Sequence, residues 1–278
     1  MAVPAKVSAS PQLPARGELL GISLALCDYG EALDWIEAMV RTRTPGYVTA
    51  AAVHLLMLAQ DDPEVRAAVG GASLVVPDGQ PLVWALRALG HEALRARVYG
   101  PDLMLACCAR GAVSGRRMYL YGGRSEGALV TLALALRTRF PGLQIVGASS
   151  PPHVGDVPGA PFRELSPDEE RRTAEEIDGS GAEIVWVGTG QPHQELWMAR
   201  MRPLLAAPLL IGVGAAFDFH AGLVPQAPAW MGRNGLEWAY RLAREPRRLW
   251  RRYLRYNPRF VLAAGREIAA QRRDRKRR

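Results

Sequence analysis

Short runs of apolar, β-prone residues alternate with longer stretches of helical periodicity along most of this chain. The runs carry no charged residue, which is typical of strands buried on both faces of a parallel sheet, and the intervening helices cover such a sheet. The predicted strands are Tyr47–Ala51, Leu74–Val76, Met118–Tyr121, Gln144–Val146, Ile184–Val187 and Leu209–Val213. The predicted helices are Glu31–Arg43, Val53–Gln60, Leu82–Leu89, Asp102–Arg110, Glu126–Arg139, Pro167–Ile177 and Gln194–Met201. The pattern predicts an α/β fold built on one parallel sheet.

Three other segments constrain the organisation of the chain. Residues 1–16 are rich in Pro, Ala and Ser and lack the apolar run of a signal peptide, so we predict a disordered leader before a core of residues 17–227. Residues 149–167 are rich in Pro and Gly and are predicted to form a long surface loop. The longest stretch without Asp, Glu, Lys, Arg or His, Pro203–Phe217, is shorter than the roughly 18 residues of a membrane span and is interrupted by prolines and glycines. No membrane-spanning helix is therefore predicted.

The remaining region, residues 228–278, is strongly basic. It holds 15 Arg, 1 Lys and 4 acidic residues, a net charge of +12, so the other 227 residues carry −4 of the formal +8. A mildly acidic body with a basic tail indicates an anionic partner for the tail, either nucleic acid or an anionic membrane surface.

A basic amphipathic helix is predicted to begin at Pro246, after a shorter helix around Leu236–Arg244. Its arginines lie on one face, and its apolar residues share the other at helical spacing: Leu249, Trp250, Tyr253 and Leu254. Arginines beside Trp and Tyr are typical of a helix that lies in a membrane interface. The same pattern also fits a helix docked on its own domain with solvated arginines and, less well, RNA binding.

The Cys and His residues form no metal or redox motif. Cys27, Cys107 and Cys108 have neither metal-binding nor redox spacing, which fits a reducing cytoplasm. The five His residues are dispersed, and neither an Asp-x-Asp pair nor an HExxH sequence is present. We therefore predict neither a metal ion nor a cofactor.

Glycines follow two predicted strands, at the edge of the sheet where parallel α/β proteins bind their ligands. Gly122 and Gly123 precede one predicted helix, and Gly188 and Gly190 precede another. Glycines let backbone N–H groups approach a phosphate, and the amino end of a helix favours an anion. Each loop alone also fits a tight turn, but two on one edge indicate a diphosphate-bearing ligand. Neither contains GxGxxG or GxxxxGK[ST], which disfavours an NAD enzyme or a P-loop ATPase.

Carboxylates also follow these strands. Asp78 and Gly79 end an apolar strand, where partial desolvation would raise the pKa of Asp78 and make it a better base; a turn or helix-capping aspartate is the alternative. Glu195 opens a helix, where it either stabilises the helix dipole or binds a sugar hydroxyl. Asp218, directly after Phe217, either caps a helix or holds a ribose or sugar hydroxyl.

These motifs, in order from about residue 20 to 262, resemble the WecG/TagA/CpsF glycosyltransferases (glycosyltransferase family 26). The matching segments are Val75–Gly79, Arg97–Leu103, Tyr121–Gly123, Val187–Trp197, Gly212–Phe219, Pro228–Met231, Gly235–Trp238 and Glu245–Tyr253. The resemblance implies a Rossmann-like, doubly wound parallel sheet with a C-terminal basic helical appendage.

The resemblance also implies an inverting, metal-independent enzyme. Such an enzyme transfers a sugar, N-acetylmannosamine among others, from a UDP-sugar to a sugar on undecaprenyl diphosphate, in cell-envelope or exopolysaccharide biosynthesis. It implies that Asp78 is the general base and that Gln194 lies near the donor. The arginines that it places on the acceptor diphosphate or in the active site are Arg97, Arg241, Arg248 and Arg251. The expected location is cytoplasmic and peripheral, on the inner face of the cell membrane, through residues 228–278.

Three positions depart from the family pattern. The Thr-x-Asn that usually follows its first strand falls on Ala50 and Ala52, with a threonine one place away, and the usual lysine before Gln194 is His193. The predicted donor-binding residues are Thr49, Gly79, Gly122, Gly123, Gly188, Gly190, Gln194, Glu195, Phe217 and Asp218. The departures leave open a second interpretation, in which the protein binds a nucleotide sugar or a partner enzyme without turnover.

Other classes of protein fit the sequence less well. A nucleic-acid-binding protein would use the basic tail, but the body contains no recognisable RNA-binding module, so we expect no nucleic-acid partner. The donor sugar, the acceptor sugar and homo-oligomer formation are left open.

Overall fold

A computed structural model describes residues 12–154 and 162–277 of the chain. Its strands are β1 (Arg16–Leu19), β2 (Ile22–Ala25), β3 (Gly46–Ala51), β4 (Leu74–Pro77), β5 (Arg117–Gly122), β6 (Gln144–Ser149), β7 (Ile184–Gly188) and β8 (Leu209–Gly212). Its helices are α1 (Tyr29–Arg41), α2 (Val53–Asp61), α3 (Pro63–Gly70), α4 (Gln80–Ala88), α5 (Gly100–Ser114), α6 (Glu126–Arg139), α7 (Pro167–Gly179), α8 (His193–Met201), α9 (Ala216–His220), α10 (Ala229–Arg233), α11 (Glu237–Arg244) and α12 (Pro246–Arg277).

Six strands form one parallel sheet in the order β4-β3-β8-β7-β5-β6, with helices flanking it. The predicted α/β class with a Rossmann-like parallel sheet is confirmed, and all six predicted strands belong to it. β6 continues to Ser149, beyond its predicted end at Val146. Because the strands are parallel, the carboxyl ends of β3, β4, β5, β7 and β8 lie on the same edge of the sheet.

Alternate residues of the central strands face two apolar cores, one on each side of the sheet. Val185 and Val187 of β7 lie in one core, and Ile184 and Trp186 lie in the other. Burying a large apolar side chain contributes about 1.5–3 kcal/mol relative to leaving it exposed. Both faces of the sheet are covered, which is why these strands show no alternation of polar residues in the sequence.

The described residues include a β-hairpin and a helix that the periodicity did not predict. β1 and β2 pair antiparallel through a tight turn at Leu20 and Gly21, which have φ angles of 53° and 68°. Each of these strands has four residues, too few for a reliable periodic signal. α3 follows Asp62, whose side chain accepts hydrogen bonds from two backbone N–H groups, and begins with Pro63. That capping signal is readable in the sequence.

The two segments predicted to be irregular are only partly described. Residues 1–11 of the predicted leader lie outside the described residues, and its last residue, Arg16, belongs to β1. In the predicted Pro/Gly-rich loop, residues 155–161 are likewise outside. On either side of them, His153 and Phe162 form an isolated antiparallel bridge.

The basic region, whose residues 228–277 are called the C-terminal segment below, packs on the body of the protein. α12 buries Leu249 and Phe260 against it. Arg259 of α12 also donates two hydrogen bonds to Asp61, at the end of α2. Of the arrangements that the sequence allowed for this helix, the structure shows the one in which it packs on its own domain. In the part of the chain that the structure describes, no helix is both long and apolar enough to cross a bilayer.

The orientation of α12 differs from the predicted one. Leu249 is buried, but Trp250 and Leu254, predicted to share its face, are 44% and 68% exposed. The inward stripe continues instead through Tyr253 to Phe260, at helical spacing from Leu249. The prediction used ten residues that end before Phe260, and this phenylalanine fixes which side of the helix faces the core.

Candidate active site

A cavity of about 670 Å³ lies at the carboxyl ends of the parallel strands. The residues that line it come from the loops after β3, β4, β5, β7 and β8, and from α11 and α12. A concave site of this size accommodates a small-molecule ligand, and this edge of the sheet is where parallel α/β proteins bind them. The C-terminal segment is therefore a structural part of the cavity.

Asp78 and Gly79 line the cavity directly after β4. The backbone N–H of Asp78 donates to the carbonyl of Ala51 at 2.9 Å, which holds it against the end of β3. A Cβ on Gly100, the first residue of α5, would lie 3.6 Å from Oδ2 of Asp78, so the amino end of α5 lies against the carboxylate. Desolvation is nevertheless dominant and raises the pKa of Asp78 to about 7. A carboxyl with this pKa is half ionised near neutral pH, as a general base requires.

Arg97 is held beside Asp78 by three groups. Its Nη1 donates to the backbone carbonyl of Asp78 at 3.3 Å, and its Nη2 forms an ion pair with Oε2 of Glu237 at 2.6 Å. The guanidinium lies 4.1 Å from the ring centroid of Tyr99, and the Tyr99 hydroxyl donates to Oε1 of Glu237 at 2.8 Å. Glu237 belongs to α11, so the C-terminal segment contacts residues beside the carboxyl end of β4.

The two glycine loops meet at the ends of β5 and β7. The N–H of Gly123 donates to the carbonyl of Gly188 at 3.2 Å. Gly122 has a φ of 128°, and a Cβ on it would lie 2.6 Å from the carbonyl carbon of Gly188. Any other residue at this position would push the loops apart. Gly123, Gly188 and Gly190 line the cavity, whereas Gly122 does not.

Phe217 also lies behind the glycines. Its ring is buried, and a Cβ on Gly188 would approach it to 2.5 Å. Gly122 and Phe217 were predicted to bind the donor. Both residues shape the loops from behind and neither lines the cavity, so their contact with the donor stays a prediction.

Thr49 and Glu195, which were also predicted to bind the donor, lie behind the cavity wall. Both are completely buried, and Oγ1 of Thr49 donates to Oε1 of Glu195 at 2.5 Å. Side chains alternate along a strand, so the neighbouring Ala50, and not Thr49, reaches the cavity. The structure thus places both residues in a supporting position, and their direct contact with the donor stays a prediction.

Gln194 connects this buried pair to the cavity, which it lines. Its Nε2 donates to Oε1 of Glu195 at 2.8 Å. Its Oε1 is buried and has no hydrogen-bond partner among the described residues. Buried acceptors are normally satisfied, so this oxygen is available to an N–H or O–H group of a ligand.

Asp218 lines the cavity, but both of its oxygens are engaged. Oδ1 and Oδ2 each accept a hydrogen bond from Arg124, at 2.9 Å. Arg124 follows the glycines after β5 and also lines the cavity. In this arrangement Asp218 positions an arginine, and the second lone pair of each oxygen remains for the predicted contact with a ribose or sugar hydroxyl.

The predicted tail arginines have different positions. Arg241 of α11 lines the cavity, whereas Arg251 is exposed and lies outside its lining. The side chain of Arg248 is outside the described part of the chain. Arg252 is one of the arginines predicted to lie on the face opposite the apolar residues, yet it lines the cavity. The inward stripe of α12 explains the difference, because Arg252 adjoins that stripe one residue before Tyr253.

A family model for the Glycosyl transferase WecG/TagA/CpsF family matches residues 17–276, nearly the whole chain. The chain belongs to this family. The resemblance drawn from the sequence motifs is thereby confirmed. The WecG/TagA/CpsF match extends through α11 and most of α12, so the basic segment is part of the family's domain.

Two alanines stand in the cavity where the WecG/TagA/CpsF pattern has a polar pair. Ala50 and Ala52 both line it, in place of the family's Thr-x-Asn. His54, the second residue of α2, lines the same cavity and was not among the predicted site residues. Desolvation and the charge of Arg252 lower the pKa of His54 to about 3, against a hydrogen bond to the backbone of Gln191. His54 is therefore a neutral imidazole at neutral pH.

Residues 12–154 and 162–277 contain no group of three or more His, Cys, Asp or Glu side chains that could hold a metal ion. For this WecG/TagA/CpsF member, metal-independent chemistry stays a prediction.

Proposed function

We propose that this glycosyltransferase moves a sugar from a UDP-sugar to an acceptor sugar on a polyprenyl diphosphate and inverts the anomeric centre. The proposal rests mainly on one observation. Asp78, with a pKa of about 7, lies in a cavity that also contains glycine loops suited to a diphosphate and two arginines of the C-terminal segment. A base, a leaving-group site and an anion site thus share one concave surface.

The donor diphosphate binds at the loops of Gly123, Gly188 and Gly190 in this proposal. The N–H of Gly123 is already bonded to the Gly188 carbonyl, so the backbone N–H of Gly190 and the guanidinium of Arg124 supply the positive potential that a metal ion supplies in other transferases. The unpartnered Oε1 of Gln194 accepts a hydrogen bond from the donor.

The chemical step is a single displacement. The Asp78 carboxylate takes the proton from the acceptor hydroxyl, and the hydroxyl oxygen forms a bond to the anomeric carbon of the donor. The bond from that carbon to the diphosphate oxygen breaks, and its electron pair leaves with UDP. Attack from the side opposite the diphosphate inverts the centre. General-base catalysis of this kind typically contributes about 10²–10⁴-fold in rate.

The acceptor diphosphate binds at Arg241 and Arg252. Both line the cavity from the C-terminal segment, on the side where α12 also contributes Tyr253 and Phe260. Arginines recognise phosphate oxygens through charge-assisted hydrogen bonds, while the aromatic rings suit an apolar chain leaving the diphosphate.

The outer face of the same segment is suited to an anionic membrane surface. Trp230, Trp238, Trp250 and Leu254 are all substantially exposed among arginines. Amphipathic side chains of this kind insert at the level of lipid headgroups. We propose a peripheral location on the inner face of the cell membrane.

Vesicle co-sedimentation tests the membrane proposal. A Trp250→Ser/Leu254→Ser variant should lose binding to vesicles that contain phosphatidylglycerol and remain folded. Deletion of residues 228–278 would be less informative, because it also removes the buried Phe260. The matched control is Val113→Ser/Val130→Ser, which replaces exposed apolar residues on α5 and α6. Equal binding by both variants would contradict the proposal.

A donor screen tests the reaction. Purified protein is mixed with a detergent-solubilised polyprenyl-diphosphate-sugar and a panel of UDP-, GDP- and dTDP-sugars, and free nucleoside diphosphate is assayed. We expect acceptor-dependent release from one UDP-sugar, and loss of release with retained donor binding in Asp78→Asn. Full turnover by Asp78→Asn would exclude Asp78 as the base.

A second candidate function is supported by Ala50 and Ala52. Two methyl groups in place of a polar pair remove hydrogen bonds that the family pattern offers to a ligand. A protein that binds a nucleotide sugar without turnover would give saturable UDP-sugar binding and no release across the whole panel.

A further inference from the structure

Glu237 is a carboxylate that the C-terminal segment contributes to the cavity. Its side chain is 14% exposed, and both of its oxygens are engaged, one by the Tyr99 hydroxyl and one by Arg97. A Cβ on Gly232, which precedes it in the same segment, would lie 2.8 Å from Nη2 of Arg97, so the segment packs closely over this guanidinium. The contact is therefore part of how the segment docks.

The direction in which Arg97 points is the central observation. Its hydrogen bond to Asp78 goes to the backbone carbonyl, and the other end of the guanidinium is paired with Glu237. An arginine paired directly with the Asp78 carboxylate would stabilise its ionised form by charge and make it a weaker base. In the structure the ion pair of Arg97 is formed with Glu237.

Groups from several elements face Asp78. Arg97 and the backbone N–H of Gly100 favour its ionised form, as does Arg241 of α11, while Glu237 disfavours it. The Tyr29 hydroxyl from α1 is also near enough to interact electrostatically with Asp78. The uncharged lining beside the carboxylate includes Ala50, whose methyl lies with Asp78 around the amino end of α5.

We propose that Glu237 is a positioning residue: by holding Arg97, it keeps the Asp78 carboxylate basic enough to deprotonate the acceptor hydroxyl. The inference rests on the proposed function of Asp78 as general base. It also assigns α11 a role in the chemistry, because the segment that binds the acceptor diphosphate brings the residue that sets the strength of the base.

The test reads the titration of Asp78 directly. The protein is labelled with ¹³C at the aspartate carboxyl groups, and the Asp78 resonance is assigned by its absence in Asp78→Asn. Glu237→Gln keeps the size of the side chain and an acceptor for Tyr99 but removes the charge. We expect the Asp78 midpoint to fall by about one pH unit, a tenfold change in proton affinity.

The matched control is Glu183→Gln. Glu183 is 16% exposed and also paired with an arginine, Arg116, but it precedes β7 and so lies at the opposite edge of the sheet. Its replacement should leave the Asp78 midpoint unchanged. An Asp78 midpoint in Glu237→Gln equal to that of the unmodified protein would overturn the proposal.

A second pair of variants keeps the test available if one unpaired charge unfolds the protein. Arg97→Gln should raise the Asp78 midpoint, the opposite sign to Glu237→Gln. The double variant leaves neither charge unpaired, and its midpoint should lie between those of the two single variants. A double variant with a midpoint below that of Glu237→Gln would contradict the inference.

The titration needs no substrate, so it separates two kinds of failure. If the Asp78 midpoint shifts as expected in the variants but no donor gives transfer, the proposed function is refuted and the role of Glu237 is not. Transfer by the unmodified protein, with an acid limb of kcat/KM that does not move in Glu237→Gln, would refute the role of Glu237 alone.

Discussion

Arg124 donates one hydrogen bond to each carboxylate oxygen of Asp218, both at 2.9 Å. The pair joins the loop after β5 to α9, and both residues line the cavity. Bidentate pairs of this kind fix the orientation of the guanidinium as well as its position.

The Asp218→Asn variant should therefore bind the donor less tightly. An asparagine can accept only one of the two hydrogen bonds and carries no charge, so Arg124 loses its fixed orientation. We expect donor KM to rise several-fold, with a smaller change in kcat, in steady-state assays with saturating acceptor. The control is Asp61→Asn, which breaks a bidentate pair with Arg259 away from the cavity. An equal rise in KM for both variants would point to a general loss of stability.

The raised pKa of Asp78 has a consequence for folding. Its value of about 7 exceeds the ordinary value of 3.8, so the folded state binds this proton more tightly than the unfolded state. Stability is therefore lost as pH rises from about 4 to 7. Asp78→Asn removes the ionisation and should be more stable than the unmodified protein at pH 8, by a few kcal/mol at most, with the difference disappearing near pH 4.

Urea denaturation at the two pH values measures this difference. Asp61→Asn gives the opposite sign, because hydrogen bonds from Arg259 lower the pKa of Asp61 in the folded state. A variant Asp78→Asn that is destabilised equally at both pH values would contradict the expected linkage.

Replacement of Glu195 by glutamine should preserve the stability of the fold, whereas replacement by alanine should lower it. Burial raises its pKa to about 7, against hydrogen bonds from Thr49 and Gln194, so the neutral form is well populated at neutral pH. Glutamine keeps an acceptor for both partners. Alanine leaves two buried donors without their acceptor and should cost about 1–3 kcal/mol of unfolding free energy. Equal stability of the two variants would show that the buried hydrogen bonds contribute little.

Arg251 and Arg252 are neighbours on α12 that make a matched comparison. Arg252 lines the cavity and Arg251 is exposed. Arg252→Ala should raise the acceptor KM at least tenfold, because a charge-assisted contact with a diphosphate is worth about 1.5–3 kcal/mol. Arg251→Ala should change it less than twofold in detergent-solubilised assays. The reverse order would favour the position of Arg251 implied by the family resemblance.

The sheet was predictable because its strands are buried on both faces and therefore appear as apolar runs. Asp78 was predictable for a related reason, since an acid directly after a buried strand lies at the ligand-binding edge. The motifs that resemble the WecG/TagA/CpsF family led to the same position.

Other site residues depend on side-chain direction, which a motif does not specify. Thr49 and Ala50 are adjacent, and only the pleat of β3 decides which of them faces the cavity. To predict that Arg252 lines the cavity, one would need the rotation of α12 about its axis, which Phe260 fixes from two turns away. To predict the role of Glu237, one would need the docking of α11 onto Arg97, a contact between residues 140 positions apart in the sequence.

The contribution of α11 and α12 to the cavity also determines when the site can form. β8, the last strand of the sheet, ends at Gly212, whereas lining residues continue to Val261. During synthesis, a nascent chain that has folded through β8 presents the glycine loops and Asp78 but lacks the arginines and the carboxylate of α11. The site is completed only after residue 261 has been translated and α12 has docked, so a chain terminated between these points lacks part of the cavity wall.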